Sequence, residues 1–176
     1  MIPPGPSGYR RIGENRYRET IGFHYEDFVV GTVFEHRPGR TVTETDNVLM
    51  SMLSMNISPL HIDGAYTART QWGQPLVSSL VTLSIVGGMA VRSTSGRATA
   101  NLGWDRIRMT APVFVGDTLY AESEITAKRL SASRPGEGIV SCRTAGRKAS
   151  GEVVLTFDRS FLVPTAEHSI DDKTGY

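Results

Sequence analysis

Asn56-Ile57-Ser58-Pro59-Leu60-His61-Ile62-Asp63 gathers, within eight residues, the side chains best suited to moving a proton. A histidine is neutral or protonated near pH 7, so His61 can both take a proton and give one back. Asn56, five residues earlier, carries a carboxamide that orients a water or a carbonyl but does not usefully accept a proton. Pro59 stops a helix and fixes the backbone just before His61, which presents a side chain to a cleft. Asp63 is the one carboxylate close by in sequence. Residue types and spacing leave a plainer reading open: Asn56 as a helix C-cap, His61 as a half-buried loop histidine, and Asp63-Gly64 as an N-cap or turn.

The elements around this segment must hold it in place. Thr43-Glu44-Thr45-Asp46 has the form of a capping box with Asp in the Glu position. Behind it Val48, Leu49, Met52, Leu53 and Met55 recur at helical spacing. That helix should end near Asn56, since Ser58 precedes a proline and favours extended geometry. A short helix is expected over Gly64 to Thr70, and Gly73 and Pro75 interrupt it. Leu76 to Val91 is a charge-free stretch of 16 residues. A membrane span needs about 20 mostly apolar residues, so this stretch is expected to be a buried helix, apolar all round because something surrounds it.

The second half of the chain changes period. Ala98–Met109, Asp117–Lys128, Gly138–Lys148 and Glu152–Val163 are four strand-like runs, parted by Pro112, Gly116-Asp117, Arg134-Pro135-Gly136 and Ser150-Gly151. In the last run Val153, Leu155, Phe157, Phe161 and Val163 alternate with a mixed face, the pattern of a half-buried antiparallel strand. Short strands precede the helices at Val33-Phe34 and Arg40–Thr43. Together these predict an α+β fold: a curved antiparallel sheet wrapped around one apolar helix, the four late runs forming a meander.

Composition sets the bounds. With 176 residues, 39% hydrophobic and 21% charged, the chain is the size and make-up of one globular domain. The expected division is a flexible N-terminal arm over 1–20, one domain over 21–165 and a C-terminal tail over 166–176. A net charge of +1 shows no basic excess for nucleic acid or an anionic membrane. Neither partner is expected. The N-terminus shows no basic-then-apolar leader pattern. A single cysteine, Cys142, builds neither an internal disulfide nor a Cys-based zinc site. It reads as a packed strand thiol, no metal is expected, and a reducing cytoplasm is the default compartment.

The segment Asn56 to Asp63 resembles the signature of MaoC-like, or R-specific enoyl-CoA hydratase, proteins, Asp-x-Asn-Pro-x-His-x-Asp. Pro59, His61 and Asp63 match it; Asn56 and Ser58 stand where Asp and Asn are usual. Trp72-Gly73 takes the place of the family's aromatic-glycine pair, and Gly116-Asp117-Thr118-Leu119 matches its Gly-Asp-Thr-Leu. The resemblance runs over about residues 23 to 164. A subgroup related to mesaconyl-CoA and itaconyl-CoA hydratases is nearest, sharing Met-Asn-x-x-Pro-Leu-His-x-Asp, Ala100-Asn-Leu-Gly-Trp104 and Ser133-Arg-Pro135.

This resemblance implies a hot-dog fold, a homodimer or higher homo-oligomer, and a hydro-lyase acting on a 2,3-enoyl or 3-hydroxyacyl thioester, with a short branched or carboxylated acyl group. It implies His61 as acid-base group, Asn56 as the residue that orients water, and Asp63 as a compensating carboxylate. Backbone N–H groups of Ser78 and Ser79 would polarise the thioester carbonyl from the start of the apolar helix. Arg134 would bind coenzyme A phosphates. Coenzyme A or an acyl carrier protein enters as part of the substrate, and no separate cofactor is expected. Competing readings are a thioesterase, a biosynthetic tailoring dehydratase and a non-catalytic acyl-thioester binding protein.

Overall fold

A computed structural model describes residues 8–175 of the chain. Residues 9–19 form a hairpin, β1 (Tyr9–Gly13) and β2 (Arg16–Glu19), where the sequence suggested a loose arm; the first seven residues lie outside the described ones. The expected two short early strands are one strand, β3 (Val33–Thr41). Three helical pieces follow: α1 (Glu44–Leu53), α2 (Pro59–Ile62) and α3 (Gly64–Thr67). The apolar helix is α4 (Ser79–Ala90). The four late runs are β4 (Ala100–Met109), β5 (Thr118–Leu130), β6 (Glu137–Lys148) and β7 (Val153–Pro164).

The main sheet has five antiparallel strands in the order β3-β5-β6-β7-β4. Strands β5, β6 and β7 form the expected meander. β4 does not pair with β5; it lies across the sheet, against β7, and forms an edge. β5, the next strand in sequence, is therefore three positions away in the sheet. Alternation alone cannot reveal this, because it reports which face a residue takes and not which strand lies alongside.

α4 packs on this sheet. Val81, Ile85 and Val86 join Leu119, Ala121, Val154, Leu155 and Phe157 in one apolar cluster. Two glycines permit the close seating. A Cβ on Gly146 would come 2.6 Å from Val86 Cγ2, and one on Gly87 would come 2.7 Å from Trp104 Cη2. Trp104 is half-buried and packs against this cluster, its ring 4.6 Å from that of Phe157. A second cluster, with Phe28, Ile125, Val140, Cys142, Phe161 and Val163, fills the other end. Cys142 is buried there, and that burial pushes its thiol pKa up, as a packing role requires. The helix is not covered all round: Leu80 is 42% exposed, and Ser84 and Gly88 lie open beside it.

The C-terminal residues are held as well. Thr165 N–H donates to the Gly136 carbonyl at 2.9 Å, and Arg97 pairs with Asp171. Among the described residues no helix is long and apolar enough to cross a membrane, and no group of His, Cys, Asp or Glu could hold a metal ion.

Candidate active site

The site begins at the cap of α1. Thr43 Oγ1 accepts the Asp46 N–H at 3.3 Å, and Asp46 Oδ2 accepts the Thr43 N–H at 2.9 Å, the reciprocal box expected from the sequence. The helix ends at Leu53, earlier than Asn56. Met55 then takes the left-handed conformation, φ 55°, and the Asn56 N–H returns to the Ser51 carbonyl at 2.9 Å. Pro59 opens the single turn α2, where its missing N–H costs nothing. His61 sits in that turn, half-buried.

The His61 ring is oriented by backbone. Nδ1 lies 2.9 Å from the Leu76 carbonyl oxygen. A carbonyl only accepts, so Nδ1 carries the hydrogen and the neutral ring keeps its lone pair on Nε2. The Leu76 segment is tied on both sides: its N–H donates to the Leu60 carbonyl at 2.9 Å, and the Val77 N–H donates to the Val113 carbonyl at 2.9 Å. A cleft of about 320 Å³ opens here, lined by His61, Trp72, Leu76, Val77, Ser79, Thr82 and the run 109–113. Among the described residues no carboxylate lines it.

The two serines at the start of α4 part company. Ser78 is the N-cap and is 1% exposed, and its N–H donates to Asn47 Oδ1 at 2.8 Å. That donor is already used, which removes Ser78 from the expected pair. Ser79, the first helical residue, lines the cleft. Its N–H is one that an α-helix leaves without an internal acceptor, at the positive end of the helix dipole.

Other expected residues fall elsewhere. Asp63 caps α3, accepting the Tyr66 N–H at 2.9 Å, and does not line the cleft; its short side chain is a turn device here. Asn56 is half-buried, its Oδ1 3.4 Å from the Ser58 N–H, and no hydrogen bond joins it to His61 among the described residues. Arg134 lies in the β5–β6 turn beside Glu137, Nη1 to Oε2 3.7 Å. Gly146 and Met109 both pair with Leu155, whereas Gly138 pairs with Val163. Eight residues of β6 at about 3.3 Å each put Arg134 roughly 26 Å from the cleft within one chain. Nearest to the lining residues in sequence are two other cations, Arg69, three residues before Trp72, and Arg108, next to Met109.

Sequence reasoning missed Leu76 and Asn47. A backbone acceptor leaves no mark in side-chain patterns. Asn47 did leave one, a short polar residue inside an apolar-periodic helix where it is intrinsically disfavoured.

A curved antiparallel sheet with one central helix, and a histidine in the cleft at that helix's N-terminus, is the arrangement of a hot-dog fold. A Mycobacterium tuberculosis protein described as having a double hotdog fold superposes with a TM-score of 0.76 at 26% identity, over 84% of this chain and 46% of that one. The MaoC like domain model matches residues 27–145, and the chain belongs to that family. It is 32% identical over 146 residues to the mesaconyl-CoA hydratase of Cereibacter sphaeroides, covering 83% of this chain and 42% of that protein. It is 36% identical over 77 residues to the (R)-specific enoyl-CoA hydratase of Aeromonas caviae, covering 44% of this chain and 57% of that protein. The chain thus spans about half the length of the curated relatives it matches.

Proposed function

We propose that this chain is a hydro-lyase that adds water to, or removes it from, a 2,3-enoyl or 3-hydroxyacyl thioester. The observation that carries this reading is the His61–Leu76 hydrogen bond, which fixes Nε2 as the basic atom in a cleft that also holds the Ser79 N–H. In the hydration direction Nε2 takes a proton from water as the oxygen bonds to C3. The C2–C3 π electrons move toward the thioester, whose oxygen gains negative charge beside the Ser79 N–H. The imidazolium then returns its proton to C2, and the elimination runs the same steps backwards. The family resemblance gives Asn56 the task of orienting the water, although Asn56 is not among the residues that line the cleft.

The Pro59-x-His61 pattern, with Asn56 beside it rather than a carboxylate, supports hydration over thioester hydrolysis, which in hot-dog enzymes usually relies on a carboxylate base or nucleophile. The likeness to mesaconyl-CoA hydratase supports a short carboxylated or branched acyl group. The test is a screen of mesaconyl, crotonyl and 3-hydroxybutyryl thioesters on coenzyme A and on acyl carrier protein, scored by the mass of one water. Turnover should appear and fall by about 10² or more in His61→Ala. Release of free thiol instead, or binding without turnover, overturns the reading.

A further inference from the structure

α1 packs Met50 against the core but otherwise buries polar residues and exposes apolar ones. Its apolar residues Leu49, Met52 and Leu53 are 54%, 72% and 72% exposed, while Asn47 and Ser51 are each 2% exposed. A helix that buries an asparagine and leaves its leucines in solvent is not arranged for packing alone.

Asn47 uses its whole amide. Nδ2 donates to the His61 carbonyl at 2.8 Å and to the Leu76 carbonyl at 3.1 Å, and Oδ1 accepts the Ser78 N–H at 2.8 Å. The orientation is forced, because a flipped amide would set oxygen against two carbonyls and NH₂ against an N–H. Every partner belongs to the site. One is the peptide of the base, one is the acceptor that orients its ring, and one is the peptide preceding the Ser79 donor. Leu76 O is shared by Asn47 and the His61 Nδ1–H, so movement of either residue disturbs the other. The three segments, around 47, 61 and 76–78, are distant in sequence and meet at this one amide.

We propose that Asn47 is a positioning residue for the reaction: it holds Leu76 O where the His61 ring must present Nε2 to the substrate, and it withdraws the Ser78 N–H so that Ser79 alone faces the thioester oxygen. This rests on the hydro-lyase reading. Asn47 itself does not line the cleft and acts through its neighbours.

The test joins kinetics to nitrogen NMR of the histidine rings, with the full chain and mesaconyl-CoA and crotonyl-CoA. In the unmodified protein His61 should be the Nδ1–H tautomer; an Nε2–H ring overturns the proposal whatever the variants do. Asn47→Ala removes all three bonds. Asn47→Asp keeps the size and the acceptor for Ser78 while replacing the carboxamide donor, and it carries the test if the alanine variant does not fold. Both should lower kcat by tenfold or more, since small displacements of catalytic groups are costly. KM should move by less than about threefold, and Nε2–H ring signal should appear. Folded variants with unchanged kcat and an unchanged His61 tautomer, differing only in melting temperature, would show that Asn47 merely packs. Absence of turnover in the unmodified protein removes the hydro-lyase reading instead, and the ring signals still decide whether Asn47 sets the His61 tautomer.

Discussion

Ser78 and Asn47 face each other across the N-terminus of α4, the serine N–H donating to the amide oxygen at 2.8 Å. The bond splits two adjacent peptides into one with a structural task and one left for a ligand.

That division is testable at Ser79 because proline is tolerated at the first helical position and lacks an N–H. Ser78 already has φ −57° and ψ 139°, the conformation a residue before proline prefers. Ser79→Pro should therefore fold, and should lower kcat by about 10²–10³, the usual cost of losing one oxyanion donor. Ser79→Ala keeps the N–H and should stay within a few-fold of the unmodified protein. Circular dichroism and steady-state turnover of the pair decide it; equal rates in both variants would remove the Ser79 N–H from the mechanism.

A second prediction concerns His36, which is 2% exposed between Ser93 and Ser123, with contacts of 3.1 Å and 2.8 Å. Burial, reinforced by the Arg37 guanidinium, lowers its pKa below the ordinary 6.5. The unfolded chain then binds this proton at a higher pH than the folded one. Stability is full above about 6.5 and falls with pH from there until the folded pKa is passed. His24 is lowered in the same direction by burial and Arg97 and adds to the slope. Asp46 and Asp158, held below their ordinary 3.8, add their loss only at lower pH. His36→Leu should be less stable at pH 7.5 by about 1–3 kcal/mol, from the hydroxyl partners left behind. Its urea midpoint should also depend less on pH between about 6.5 and 5. Parallel pH profiles for the two proteins would show that His36 does not titrate in this way.

The third prediction is assembly. β4 ends the sheet with an unpaired edge, and Leu102 on it is 48% exposed. The open strip of α4 at Leu80 is an apolar surface as well. A second copy can cover such surfaces with a closed two-fold contact. Light scattering at micromolar concentration should give twice the chain mass of 19.2 kDa; a monomer under those conditions would contradict it.

Local chemistry was legible in the sequence wherever one segment decides the outcome. The Thr43–Asp46 box and the spans of β5, β6 and β7 all follow from neighbours along the chain, whereas Pro59, expected to stop a helix, opens α2 instead. What the sequence concealed depends on residues far apart in it. The place of β4 beside β7 is a matter of topology, and the distance of Arg134 from the cleft follows from register. The loss of the Ser78 donor depends on an asparagine 31 positions earlier. His61 was picked out by its type, but which ring nitrogen keeps its lone pair is fixed by a carbonyl, which every residue carries.

Asn56 is where the family pattern and the chemistry diverge, and it offers the sharpest test of the acyl group. Its Oδ1 sits 3.4 Å from the Ser58 N–H, too long for a strong cap. Asn56→Ala should therefore cost little stability, and if the amide orients water it should lower turnover per folded molecule. Asn56→Asp keeps the size and restores the carboxylate more usual in the family. With an uncharged crotonyl group the new carboxylate supplies a second base near the water, so hydration should hold or rise. On the proposed carboxylated substrate the acyl group brings its own negative charge, and two like charges nearby oppose each other. Asn56→Asp should then raise KM or lower kcat for mesaconyl-CoA relative to crotonyl-CoA, by tenfold if the charges lie close enough to cost about 1.4 kcal/mol. Measuring both substrates with the unmodified and variant proteins separates the cases. A gain on mesaconyl-CoA equal to that on crotonyl-CoA would mean that no substrate carboxylate approaches Asn56, and the preference for a carboxylated acyl group would have to be given up.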